Sequence, residues 1–235
     1  MREQIKISAT QLGELTQRWN CRRCFWLRAK LKGRLPYQSF PAVFSTIDSF
    51  TKDFFRQVHK VRTQEGWIEE FSSEAQWLPV PRSFQAEDSE TGMMLSGIPD
   101  ALYRLEGGGL MIVDFKTSKV SEGELKRWEQ YVTQLNAYAW IAQRVGLGQV
   151  EKLVVIYAEP HGTLGTRPVG DALTSIGFQL PFEVTSKPVE VDPERVTSAL
   201  QKAQEILSLE APPKSTRNCF ECTKVSELAR LNQLS

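Results

Sequence analysis

Two Cys-x-x-Cys pairs lie near opposite ends of this chain, Cys21-Arg22-Arg23-Cys24 and Cys219-Phe220-Glu221-Cys222, and the sequence has no other cysteine. Paired thiols at that spacing are the pattern of a four-thiolate metal centre, for which zinc is the commonest guest. If Cys21, Cys24, Cys219 and Cys222 share one centre, residues from the two ends of the chain must meet. Segments 1–35 and 211–235 then staple a single domain spanning 1–235, and metal binding becomes part of folding.

At 235 residues, 41% hydrophobic and 24% charged, the chain has the size and make-up of one sizeable globular domain. No apolar run approaches a membrane span, and Met1 to Lys6 lacks the apolar core of a signal peptide. These features predict a cytoplasmic protein with no membrane partner, in a compartment where thiols serve as ligands rather than disulfides. Net charge is only +1. However, Arg18, Arg22, Arg23, Arg28, Lys30, Lys32 and Arg34 follow one another without an intervening acid, a distribution suited to phosphate contact.

Ile7 to about Leu31 reads as a helix-rich opening, with cap chemistry at Ser8 and apolar residues at Leu12, Leu15 and Trp19. A second helix, about Ser45 to Arg62, carries a stripe of Ile47, Phe50, Phe54, Val58 and Val61, expected to be buried. A hairpin is expected from about Met93 to Lys116. The clearest helix runs from Ser121 to about Val145 and ends at Gly146 and Gly148. Val150 to Ala158 is rich in β-branched residues and reads as a central strand, with another at Phe178 to Val184. Pro193 to Leu209 is a final helix entered through Asp192-Pro193. The order predicts an α/β (α+β) fold, a mixed central sheet flanked by helices.

Chemistry concentrates in the hairpin. Asp100 closes Gly97-Ile98-Pro99-Asp100, near the start of the first strand; Asp114 and Lys116 lie near the end of the second, in Ile112-Val113-Asp114-Phe115-Lys116. Glu106-Gly107-Gly108-Gly109 supplies the turn between them. Paired carboxylates collect a hard divalent cation, and a nearby lysine can orient a water or offset charge building on a phosphate. On the helix downstream, Gln134 and Tyr138 are four residues apart and share a face.

These residues resemble the PD-(D/E)xK nuclease superfamily, down to the Pro-Asp pair. The Gln134-x-x-x-Tyr138 spacing resembles its RecB-like branch, and the terminal cysteines are similar to those of the iron–sulfur exonucleases of CRISPR adaptation. The resemblance implies a restriction-endonuclease-like core and a DNA nuclease, an exonuclease of repair, recombination or CRISPR-type processing with partners from such a pathway. It implies Mg²⁺ or Mn²⁺ held by Asp100, Asp114 and the Phe115 carbonyl, with Lys116, Gln134 and Tyr138 completing the catalytic set. Asp48, or alternatively His59, is the polar residue expected from the second helix. Arg22, Arg23, Arg28, Lys30 and Lys119 are expected to hold the DNA. For the cysteines it implies a [4Fe–4S] cluster, with zinc as the alternative. These relatives usually carry one N-terminal and three C-terminal cysteines; this chain has two and two. The rival reading is a non-catalytic nucleic-acid or partner-binding protein of the same fold with a structural metal.

Overall fold

The computed structural model describes residues 4–17, 20–31, 41–61, 75–118, 126–161 and 169–233, with the side chains of 58–61 outside that description. The chain opens on strand β1 (Lys6–Ser8) and helices α1 (Ala9–Thr16), α2 (Arg22–Lys30) and α3 (Ala42–Val61). Strands β2 (Gln76–Leu78), β3 (Gln85–Glu87), β4 (Met94–Ser96), β5 (Ala101–Arg104) and β6 (Leu110–Lys116) follow. Then come α4 (Trp128–Arg144), β7 (Val150–Pro160), the ribbon strands β8 (Leu173–Thr174) and β9 (Gly177–Phe178), β10 (Phe182–Val189), α5 (Pro193–Leu207) and α6 (Phe220–Asn232).

The main sheet has the order β10-β7-β6-β5-β2. Its β6–β7 pair is parallel and its other pairs antiparallel, so it is mixed, as expected. The parallel pair requires a crossover, which α4 provides. Residues alternate across the sheet with period two. Leu102, Leu110, Ile112, Leu153, Val155 and Tyr157 join the core that includes α1, α4 and α5; Ala101, Tyr103, Met111, Val113, Phe115, Val154 and Ile156 join a second core with Phe55 of α3. Because both faces are covered, β7 reads as an almost continuous apolar run.

Helix α1 begins with a capping box in which Ser8 and Gln11 satisfy each other's backbone amides, at 2.9 and 3.1 Å. It lies close against α4: a Cβ at Gly13 would fall on the main-chain oxygen of Gln130. Helix α4 is buried all round from Tyr131 to Ala142, so its polar residues need internal partners. Asn136 donates to the carbonyls of Val132 and Glu190 and accepts from the Asp192 amide, tying α4 to the start of α5. Asp192 caps α5 through the Arg195 amide, with Pro193 in the first turn.

Several boundaries differ from expectation. The opening holds a strand and two helices, and the expected hairpin is β5–β6 alone. Strand β4 instead pairs with β1 and β3 in a separate small sheet. The strand expected at Phe178 to Val184 is displaced: Phe178 belongs to the β8–β9 ribbon and β10 runs on to Val189. On α3 the buried face is Thr51 and Phe55, whereas Phe50 is 68% exposed and Phe54 38%. Phe55 stacks on Phe115 with centroids 4.7 Å apart, which leaves Phe50 and Phe54 of the expected stripe turned outward. Trp19 and the stretch 119–125 lie outside the described residues.

Candidate active site and cysteine centre

The β5–β6 hairpin sets two acids on neighbouring strands. Asp100 directly precedes β5, and its Oδ2 accepts the backbone N–H of Phe115 at 2.9 Å. That bond ties the first acid to the residue after the second. Period-two alternation turns Asp114 and Lys116 away from Phe115 and toward α4. There Gln134 Nε2 donates to Asp114 Oδ1 at 3.1 Å and to the Tyr138 hydroxyl at 2.8 Å. The Lys116 ammonium pairs with Asp114 Oδ2 and lies 4.7 Å from the Tyr131 ring centroid.

Helix α3 approaches from the other side. Lys52 bridges Asp48 (2.7 Å) and Asp100 (2.8 Å). Lys52 was not anticipated from sequence; its signal is the i,i+4 pairing with Asp48 on a helix otherwise read for its apolar stripe. The side chain of His59 lies outside the described residues, as does Lys119.

Electrostatics follow from burial. Asp114 is almost wholly enclosed, and loss of water raises its pKa to about 6. Lys116 opposes that rise, Asp100 adds to it, and Lys52 works against it. Tyr138 is raised by burial and by the nearby Asp114 charge. Burial works against the charge on Lys52, but Asp100 and Asp48 outweigh it and its pKa is raised.

The donor set suits a hard cation. Three carboxylates (Asp48, Asp100, Asp114) face two ammoniums (Lys52, Lys116), which leaves one negative charge. The side-chain oxygen of Gln134 is also buried without a hydrogen-bond partner. Among the described residues, only the four cysteines form a group of three or more His, Cys, Asp or Glu donors close enough to share an ion. A cation here would therefore rely on few carboxylates and on oxygens of other kinds.

Gly97 guards this arrangement. A Cβ at that position would overlap the ring of Tyr138, which is buried and has nowhere to go. Gly97→Ala should therefore cost about 1–3 kcal/mol of stability, as overpacked cores do. It should also loosen the Gln134–Tyr138 bond. Thermal melting of variant and wild type checks it, and an unchanged melting temperature would contradict the packing argument.

The cysteines converge at the junction of α2 and α6. Sγ separations are 3.5 Å for Cys21–Cys222, 3.5 Å for Cys24–Cys219 and 3.4 Å for Cys24–Cys222, and all four sulfurs lie within 4.8 Å of one another. Burial raises Cys24 and brings Cys222 up to about 12. Burial also acts on Cys21, but backbone hydrogen bonds from Thr216 and Cys24 outweigh it and lower that thiol to about 6. Arg28, expected on DNA, is instead held between Glu14 (2.9 Å) and Glu221 (2.5 Å), bracing α1 and α6 against α2. Arg22 and Lys30 are exposed, with Lys30 near the Trp26 ring.

A sequence model described as the PD-(D/E)XK nuclease superfamily matches residues 44–224. The match takes in α3, the hairpin, α4 and the second cysteine pair, and begins after the first pair. No curated protein matches the chain. Among solved structures, the crystal structure of SSO0001 aligns at 12% identity with a TM-score of 0.40, over 91% of this chain and 81% of that one. A likeness at that level carries no argument.

Proposed function

The chain belongs to the PD-(D/E)XK nuclease superfamily, and on that premise we propose that it is a metal-dependent nuclease hydrolysing phosphodiester bonds of DNA. The observation that carries the reading is the lock between its two acids: Asp100 holds the Phe115 amide while Asp114, one residue earlier, is gripped by Lys116 and Gln134. In this reading Asp100, Asp114 and the Phe115 carbonyl would hold Mg²⁺ or Mn²⁺, which when bound would supply Lewis-acid chemistry at the phosphate. Lys116 would orient the attacking water or offset charge on the phosphate. Gln134 fixes the Asp114 carboxylate, and Tyr138 fixes Gln134 in turn. Asp48 acts through Lys52, holding Asp100 in place.

The Gln134–Tyr138 pair supports placement in the RecB-like branch. The resemblance to that branch extends the proposal to an exonuclease working with partners in repair, recombination or CRISPR-type processing, on DNA held in part by Arg22, Arg23, Lys30 and Lys119. Labelled single- and double-stranded DNA, incubated with Mg²⁺ or Mn²⁺ and with EDTA, is the test. Ion-dependent shortening from an end is expected. Binding without cleavage under every ion would replace the proposal with the non-catalytic reading.

For the cysteines, sulfur spacing supports zinc over the [4Fe–4S] cluster that the resemblance implies. Four sulfurs at tetrahedral Zn–S bonds of about 2.3 Å lie roughly 3.8 Å apart, close to the separations here. A cubane places its irons at separate corners and holds its thiolates further apart. Segments 1–35 and 211–235 would then act as a zinc staple on one domain. A colourless protein with one equivalent of zinc is expected; brown protein with iron and sulfide would restore the cluster.

A further inference from the structure

Beside the cysteines lies a cavity of about 510 Å³, open to solvent on one side. Its lining includes Arg23 from α2, Arg217 from the loop before α6, and Arg230 from the last turn of α6. Ser215 and Asn218 add polar donors from the same loop. Among the described residues none of the three guanidiniums has a carboxylate partner. The one acid in the lining, Glu227, is paired with Lys224 at 2.8 Å. Three unpaired arginines facing one hollow repel each other, and an anion relieves that repulsion. Guanidinium forks match the oxygens of a phosphate in particular, through paired, charge-assisted hydrogen bonds.

We propose that this cavity is a phosphate-binding site for a nucleic-acid strand, built across the two ends of the chain and distinct from the hairpin acids. The choice of a strand as the phosphate's source rests on the nuclease reading. The cavity shares Cys219 and Cys222 with the thiolate centre, so that centre sets the distance between Arg23 on one wall and Arg217 and Arg230 on the other. Arg23 was expected on DNA from the basic run near the N-terminus; Arg217 and Arg230 come from the far end and complete the set.

The test is binding of a fluorescent single-stranded oligonucleotide without chelator and without added Mg²⁺ or Mn²⁺, across a salt series, so that no cleavage is needed and the cysteine centre keeps its metal. The Arg217→Gln/Arg230→Gln variant should weaken binding about tenfold. It should also lower the slope of log affinity against log salt by about 1.4, the loss of two phosphate contacts at roughly 0.7 each. Arg217→Lys/Arg230→Lys should restore most of the slope, because charge is kept. Metal content of the cysteine centre is measured in each variant, and the comparison is made on protein that retains its metal. An effect confined to 5′- or 3′-phosphorylated oligonucleotides assigns the cavity to a strand end; an equal effect on unphosphorylated ones assigns it to internal phosphodiesters. Unchanged affinity and slope in the glutamine variant, or no recovery with lysine, would overturn the proposal. Failure of the nuclease reading is seen separately, as absence of cleavage by wild-type protein with Mg²⁺ or Mn²⁺.

Discussion

Asp114→Asn should abolish cleavage and, in the metal-free protein, raise the melting temperature. The first effect follows if Asp114 is an ion ligand. An amide is a far weaker partner for a hard cation, and the several kcal/mol of charge stabilisation at stake correspond to a loss of roughly 10³-fold or more. The second follows from burial. The Asp114 pKa of about 6 in the folded chain stands above its ordinary 3.8. The folded state thus binds the proton more tightly, so this carboxyl's stabilisation is present below the unfolded value and is lost as pH rises through 6. At pH 7 the ionised acid costs on the order of 2–3 kcal/mol. Asparagine removes that charge and keeps an oxygen for Gln134, so several degrees of added stability are expected. Scanning calorimetry with and without Mn²⁺ separates the effects, since Mn²⁺ should stabilise the wild type and leave the variant unmoved. A variant that cleaves normally, or still gains stability from Mn²⁺, would remove Asp114 from the ion site.

Cys222→Ser should be the most destabilising single substitution on α6. Apart from Cys222, that helix buries no side chain fully. If the four thiols share one ion, its attachment rests on that centre and on the Arg28–Glu221 pair. A structural zinc contributes about 10–16 kcal/mol to small domains, and half of that already matches the whole stability of a modest protein. Loss of one equivalent of zinc and early proteolysis within 211–235 are expected, and EDTA treatment of the wild type should reproduce both. If the variant keeps its metal and resists protease as the wild type does, the two cysteine pairs do not share a centre.

The sheet and its flanking helices were legible because their residues obey simple periods: β7 is apolar throughout, and β5 and β6 flank a glycine turn. The meeting of Asp114, Lys116, Gln134 and Tyr138 was legible for the same reason, since alternation along β6 and a four-residue step along α4 each point two residues at one place. The approach of the four thiols needed only their spacing. Other features had no such signal. Helix α6 is exposed almost everywhere, so no apolar stripe announces it. On α3, three phenylalanines (Phe50, Phe54, Phe55) compete for one contact with the sheet, and sequence does not say that Phe55 wins by stacking on Phe115. Lys52 was hidden because the helix was read for its hydrophobic face. The guanidinium of Arg28 looked available until Glu14 and Glu221 were seen beside it.

The distance along the chain between the thiol pairs has a consequence for biosynthesis. Cys24 and Cys222 are 198 residues apart. A ribosome adding about 5–20 residues per second needs roughly 10–40 s to travel between them. Throughout that interval the first pair exists as a two-thiol site, able to bind an ion loosely or to be oxidised, while the second pair has yet to be made. If the four thiols share one ion, its site closes only after residue 222 has been made, and a chain stalled before that residue has no means of closing it.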